Sequence, residues 1–155
     1  MAKGIQAEIK QAKPFGSLEE ASFVALQRTA DQLQRRLAEL LKAHGLSPTQ
    51  YNALRILRGA GDAGLPCSEI ADRMITHDPD ITRLLDRLER RSLVRRSRSR
   101  DDRRVITARI TAAGLSLLRG LDGPIEQFNR RLLGHLGEDK LQLLIAILDA
   151  ARGAP

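Results

Sequence analysis

The chain is poor in aromatic and sulfur-containing side chains, and each shortage disfavours a class of structure or function. Among 155 residues there is no tryptophan, one tyrosine, three phenylalanines and one cysteine. With so few aromatic rings, stacking of unpaired bases is a weak basis for binding single-stranded RNA. A single cysteine cannot form an internal disulfide, which fits a reducing compartment.

Long apolar runs are also missing. Nothing in the sequence approaches the run of about eighteen apolar residues that a membrane-spanning helix requires. The first six residues, Met-Ala-Lys-Gly-Ile-Gln, lack the apolar core of a secretory signal. We therefore expect a cytoplasmic protein with no membrane partner.

Signs of catalysis or metal binding are lacking too. The three histidines, His44, His77 and His135, are too dispersed in sequence to suggest a site with three or four ligands. No glycine-rich phosphate loop is present, and no nucleophile has an evident base beside it. We expect no metal, no cofactor and no enzymatic activity.

What the chain has in abundance is arginine, concentrated in one segment. Residues 81–110 contain eleven arginines, no lysine and four acidic residues, so this segment alone carries the net +7 of the chain and the remainder sums to zero. Such a local charge indicates a defined contact with a polyanion. The planar guanidinium pairs with phosphate and with guanine edges. Together with the scarcity of aromatics, this favours duplex DNA.

Helix starts are readable from local patterns. Ser17 with Glu20, and Ser47 with Gln50, have the spacing of capping boxes, and Pro48 suits a first helical position. Leucines at helical spacing follow each of them. A final helical region begins after Thr111, with a predicted interruption at residues 123–124.

Between these regions the pattern predicts a DNA-binding module. A short helix near residues 67–75 is followed by Asp78 and Pro79, which resemble a cap and a first helical residue. The next helix, to about Arg91, has leucines on one face and arginines on the other. Two β-prone segments, 93–96 and 105–110, flank a polar tip and predict a hairpin.

The predicted fold is mainly α with a small β-hairpin wing. A winged helix-turn-helix occupies residues 46–110, and dimerisation helices flank it at 17–45 and 111–155. Residues 1–16 form a flexible lead-in. Dimerisation is inferred from apolar stripes that the terminal helices leave without a partner.

Several segments resemble the MarR family of bacterial transcriptional regulators. They are residues 81–95, 101–104 and 110–114, with residues 45–51 upstream. The resemblance covers roughly residues 17–150. It implies a homodimeric repressor that reads a palindromic site and is released by a small aromatic or phenolic ligand. Ser92 departs from the family pattern, which usually has glycine there.

Base contacts are expected from the residues that precede and begin the arginine-faced helix, where Arg83 takes guanine or a phosphate. The hairpin tip is expected to follow the DNA backbone or to enter the minor groove. Asp80 either favours the positive helix end or accepts a hydrogen bond from a cytosine. Ser68 either holds a phosphate or caps its helix. The candidate contacts in the helix region are Thr76, His77, Pro79, Asp80, Thr82, Arg83 and Arg87; those in the wing are Arg98, Arg100 and Arg103. Arg90, Arg91, Arg95 and Arg96 are assigned to solvent or phosphate.

The family resemblance implies two further sets of residues. Asp102 and Arg104 would brace the wing by pairing. His44 and Tyr51 would be polar groups of a ligand pocket between the dimer helices and the DNA module, although a core role is the alternative for each. Two other functions stay open: a redox-responsive regulator that uses Cys67, and an architectural duplex-DNA binder without a ligand.

Overall fold

The computed structural model describes residues 4–77 and 80–153. Its helices and strands follow the predicted order, with one additional helix and one additional strand. The helices are α1 (Ile5–Glu8), α2 (Leu18–Lys42), α3 (Pro48–Ala60), α4 (Cys67–Arg73), α5 (Ile81–Arg90), α6 (Ala112–Leu133) and α7 (Glu138–Arg152); the strands are β1 (Leu65–Pro66), β2 (Val94–Arg98) and β3 (Ile106–Ile110). Short 3-10 turns follow α3 and α6. None of the described helices is long and apolar enough to cross a membrane.

The two predicted capping boxes differ in the structure. At Ser47 both halves are present: its hydroxyl accepts from the Gln50 N–H at 3.1 Å, and the Gln50 side chain accepts from the Ser47 N–H at 3.0 Å. At Ser17 the hydroxyl accepts from the Glu20 N–H at 3.1 Å, but the Glu20 carboxylate accepts from the Gly16 N–H at 2.7 Å. The second half of this box is therefore displaced by one residue.

The lead-in contains a helix that the sequence pattern did not predict. The Glu8 carboxylate, at the end of α1, accepts hydrogen bonds from Arg28 at 3.1 Å and from Gln32 at 2.6 Å. These bonds hold α1 against α2, and the one from Arg28 is the largest of the effects that lower the pKa of Glu8. A four-residue helix has too few positions to show a periodic pattern.

The wing is a three-stranded antiparallel sheet in the order β1-β3-β2. The predicted hairpin is β2–β3, paired from Val94 with Ile110 to Arg98 with Ile106. Leu65 and Pro66 add the third strand by pairing with Ala108 and Thr107. Only the tertiary contact reveals this strand, because two residues that include a proline carry no strand pattern.

A leucine-rich core joins the winged helix-turn-helix module to the C-terminal end of α2 and to the N-terminal half of α6. Apolar side chains from α3, α4, α5 and the sheet meet Leu41 of α2 and Leu118 and Leu121 of α6. The largest fully buried side chains are Leu41, Leu54, Leu57, Ile70, Leu85, Leu88, Val94, Leu118 and Leu121. The leucine face predicted for α5 is thus confirmed, and its opposite face is left to solvent.

The predicted interruption at residues 123–124 is wrong, since α6 runs continuously through Pro124. A proline inside a helix removes one hydrogen bond and costs about 3 kcal/mol. Leu121 before it and Ile125 after it both pack on the core. This packing on either side maintains the helix across Pro124.

The start of α5 also differs from the prediction. Its cap is Asp80, whose Oδ1 accepts from the Arg83 N–H at 3.0 Å. Asp78, predicted as the cap, and Pro79, predicted as the first helical residue and a base contact, lie outside the described residues. A carboxylate at this position also favours the positive end of the helix.

Ser92 has the left-handed conformation that the family's usual glycine would favour, with φ = 59°. The Ser92 N–H donates to the Glu89 carbonyl at 2.8 Å, and the Leu93 N–H donates to the Leu88 carbonyl at 3.0 Å. These two bonds form a Schellman motif, which commonly places glycine at this residue. The Ser92 carbonyl also accepts from the Thr111 hydroxyl at 2.6 Å, so the turn is tied to the start of α6.

Ser92→Gly should therefore stabilise the protein. Removing the Cβ relieves about 1 kcal/mol at a left-handed residue, which corresponds to a rise in Tm of roughly 2–4 °C for a chain of this size. Thermal unfolding followed by circular dichroism measures the shift. The matched control is Ser116→Gly, at an exposed position inside α6, which should lower Tm. A lower Tm for Ser92→Gly would contradict the account.

Candidate nucleic-acid interface

The exposed face of α5 is basic. Arg83, Arg87 and Arg90 recur at helical spacing on the side opposite the buried Leu84, Leu85 and Leu88, and Thr82 is exposed beside them. The leucine face fixes the helix on the core, so the arginines are held outward. A helix of this kind fits the width of a DNA major groove.

The segment before α5 is held by a residue that the sequence analysis missed. Asn52 on α3 accepts a hydrogen bond from the Ile75 N–H at 2.8 Å, and Thr76 and His77 follow as exposed residues. The Ile75 side chain is 74% exposed, next to these predicted contacts. An exposed apolar group there can pack on a thymine methyl. The sequence pattern gave no signal of this exposed position, because it placed Ile75 at the end of a helix over residues 67–75, whereas α4 ends at Arg73.

The wing tip presents the three predicted arginines. Arg98, Arg100 and Arg103 line an open depression of about 540 Å³ together with Ser99. The Arg98 guanidinium also donates to the Arg103 carbonyl at 3.2 Å. Arg98 therefore holds the tip in shape as well as adding to its charge.

The predicted pairing of Asp102 with Arg104 takes a different form. The Asp102 carboxylate accepts from the backbone N–H of Arg104 at 2.9 Å, and the Asp102 carbonyl accepts from the Val105 N–H at 3.0 Å. Within the described part of the chain, no ion pair joins the two side chains. The aspartate thus closes the turn through the backbone, since a carboxylate reaches an amide two residues away readily. The Arg104 side chain is exposed.

Within the described residues, four of the eleven arginine side chains donate to protein oxygens inside the module, and Arg98 at the wing tip is one of them. Arg96 binds the carboxylates of Glu89 and Asp86. Arg91 donates to the carbonyls of Gly45 and His44 at the end of α2. Arg109 donates to the Asp62 carbonyl and to the Ser97 hydroxyl, both at 3.0 Å. The assignment to solvent or phosphate is therefore corrected for Arg96, whereas Arg90, Arg91 and Arg95 are exposed, Arg91 while also bound to backbone carbonyls.

Ser68 and Cys67 lie together at the start of α4. Ser68 is exposed, and α4 has no side-chain cap, so the capping role considered for Ser68 is absent. Both residues line an open groove of about 390 Å³ between α4 and the wing, with Arg104 opposite. Partial burial raises the pKa of the Cys67 thiol, which keeps it protonated at neutral pH.

The two predicted pocket residues separate in the structure. Tyr51 is buried and lines a cavity of about 90 Å³ between α2, α3 and the loop before α5, with Leu37, Ile75 and Thr76. His44 lies at the end of α2 and does not line this cavity. Burial raises the pKa of Tyr51, so its hydroxyl is neutral. Among the described residues, no group of three metal-ligating side chains lies together.

Comparison with known proteins agrees with this geometry. The family model described as the MarR family matches residues 46–106. The crystal structure of a MarR transcription factor from Planctomyces limnophilus is 42% identical, with a TM-score of 0.68, over 88% of this chain and 99% of that one. The HTH-type transcriptional regulator MhqR of Bacillus subtilis is 29% identical over 81% of this chain and 86% of its own length. The homoprotocatechuate degradative operon repressor of Escherichia coli is 25% identical over 85% and 88%.

Proposed function

The chain belongs to the MarR family of transcriptional regulators, which are not enzymes, and we propose that it is a homodimeric repressor that binds a specific duplex operator in the cytoplasm and is released by a small aromatic or phenolic ligand. The observation that carries the DNA half is the placement of two arginine-bearing surfaces on one core. The leucines of α5 and the base of the wing, with Val94 and Ala108, belong to one core cluster, and the wing tip with its three arginines extends from that base.

Each surface suits a different part of the duplex. The first turns of α5, with Thr82 and Arg83, fit a major groove, where hydroxyl and guanidinium groups read base edges. The hairpin tip is slim enough to follow the backbone or to enter the narrower minor groove, whose negative potential attracts arginine. Asp80 is accounted for as the cap of α5, and Ser68 remains a candidate phosphate contact.

The terminal helices supply the proposed dimer contact. In α7, described in full, no residue is buried, and Leu143, Ile145 and Ile147 are 56–60% exposed. Phe23 and Leu26 of α2 are also exposed. Burial of these apolar side chains against a second copy would remove them from water. Two modules related by a two-fold axis then favour a palindromic site.

The ligand half of the proposal rests on the Tyr51 cavity and on one relative. The cavity lies between α2 and the Ile75–Thr76 loop that leads to α5. A molecule that enlarged it would displace this loop and lower DNA affinity. The relative from Escherichia coli is named for an operon that degrades homoprotocatechuate, a phenolic compound.

Selection from a random duplex library, followed by salt titration of the selected sequences, tests the proposal. Enrichment of a pseudo-palindrome with half-sites about one helical turn apart supports a specific dimeric regulator. Tight binding without any enriched sequence, and with a steep salt dependence, supports the architectural alternative instead. The selected duplex is then the probe for an aromatic ligand library.

Cys67→Ser should leave peroxide sensitivity unchanged. The partly buried thiol has a raised pKa, and only the thiolate reacts readily with oxidants. The measurement is release of the selected duplex by hydrogen peroxide, followed by fluorescence anisotropy, for the parent and the variant. If peroxide releases the parent but not the variant, the redox-responsive alternative is correct.

A further inference from the structure

One arginine of the basic segment lies between its two DNA-facing parts. Arg96 of β2 is paired with the fully buried Ala108 of β3, and residues directly opposite in an antiparallel pair share a face of the sheet. The Arg96 side chain is 20% exposed, whereas its neighbours Arg95 and Ser97 are exposed residues. Arg96 thus occupies the inner face of the wing, toward α5.

On that face Arg96 binds two carboxylates of α5. Its Nε donates to Glu89 Oε2 at 2.7 Å, its backbone N–H donates to Glu89 Oε1 at 3.2 Å, and its Nη2 donates to Asp86 Oδ1. Asp86 and Glu89 are three residues apart, so they share one side of the helix. The hydrogen bonds from Arg96 lower the pKa of Glu89.

We propose that Arg96 is a positioning residue for DNA binding: it joins the wing to α5 at a fixed separation, so that the helix and the wing tip reach the duplex together. The inference rests on the proposed function and deepens it. The opposite face of the hairpin is held by Arg109, which reaches the Asp62 carbonyl and Ser97. Arg96 is the arginine that ties the wing to α5 itself.

Loss of Arg96 would weaken DNA binding for two reasons. The wing would lose its fork-shaped link to α5, which a planar guanidinium provides and a simple amide does not. Two partly buried carboxylates would also remain between the surfaces that approach phosphate. Breaking such a pair from one side leaves an uncompensated charge.

A double-mutant cycle tests whether Arg96 acts through the wing. The wing-tip variant, defined as Arg100→Ala with Arg103→Ala, removes two of the three arginine contacts proposed for the wing and keeps Arg98, which also holds the tip in shape. We expect Arg96→Gln to weaken binding of the selected duplex about tenfold in the parent but less than about threefold in the wing-tip variant, because interacting residues are not additive. With Arg83→Ala as the background, the loss should again be about tenfold.

Glu89→Gln distinguishes the positioning role from a purely electrostatic one. It also replaces Arg96→Gln in the test if that variant does not fold. It raises the net positive charge of the protein by one. If the Arg96–Glu89 pair affected DNA only through charge, this variant would bind the selected duplex more tightly at low salt. The positioning role predicts weaker binding, with the same dependence on the wing tip.

The control is Arg58→Gln, which removes an ion pair of Arg58 with Asp122 at 3.0 Å between α3 and α6. It should show no coupling to the wing tip. Failure of the parent to select any duplex would count against the proposed function. A parent that binds, with equal losses for Arg96→Gln in all backgrounds, would overturn the positioning role.

Discussion

Gly114→Ala is expected to destabilise the protein by about 3 kcal/mol, because overpacking a filled site forces backbone to move. Gly114 is buried in the first turn of α6, and a Cβ there would lie 2.5 Å from the Leu93 carbonyl oxygen and 2.6 Å from Ile110 Cγ1. The Leu93 oxygen cannot withdraw freely, since it accepts from the Thr111 N–H at 3.0 Å. The clash thus falls where the residue before β2 and the end of β3 meet the start of α6.

Gly120→Ala provides the matched control in the same helix. Nothing lies within 4 Å of a Cβ built at Gly120, which is exposed. Alanine is a better helix former than glycine, so this variant should gain about 0.5–1 kcal/mol. The same glycine-to-alanine substitution should therefore lower the free energy of unfolding at Gly114 and raise it at Gly120.

Urea unfolding of both variants measures the difference, at equal protomer concentration because a dimer gains stability with concentration. A neutral Gly114→Ala would show that α6 can move away from Leu93 at little cost. A destabilising Gly120→Ala would contradict the open surroundings of that residue.

Arg83→Ala and Arg103→Ala should weaken DNA binding in different ways. Arg83, in the first turn of α5, is proposed to read bases, so its loss should cost about 1–3 kcal/mol per half-site on the selected duplex and little on random DNA. Arg103, at the wing tip, is proposed to neutralise phosphate. Its loss should weaken binding to both duplexes and reduce the salt slope by about one per half-site.

Anisotropy titrations of both variants at several salt concentrations test this division. Arg131→Ala removes an exposed arginine of α6 outside the basic segment and should bind as the parent does. Equal losses on selected and random duplexes for both Arg83→Ala and Arg103→Ala would show that the two surfaces do not divide the task.

Local patterns were sufficient for much of the architecture. The Ser47 capping box, the leucine face of α5 and the β2–β3 hairpin each depend on residues a few positions apart. The family's usual glycine at position 92 also drew attention to a residue whose backbone is left-handed in the structure. Such features are readable because their hydrogen bonds and periodic contacts are local in sequence.

Other features depend on distance in space and could not be read from the chain. The two-residue strand β1 exists only because Ala108 and Thr107 are there to pair with it. The helix α6 passes through Pro124 because the residues around it meet a core assembled from other elements. In both cases tertiary contact outweighs the local preference.

The arginine-rich segment 81–110 shows both what the sequence determines and what only the tertiary structure decides. Its composition by itself determined that a localised polyanion contact was to be expected, and its spacing placed Arg83, Arg87 and Arg90 on one helical face. Only the tertiary structure decided that Arg91 and Arg96 bind within the module. The physical reason is that a guanidinium can donate to phosphate, carboxylate or carbonyl oxygen. Which acceptor it meets depends on the fold that brings distant residues within hydrogen-bonding distance.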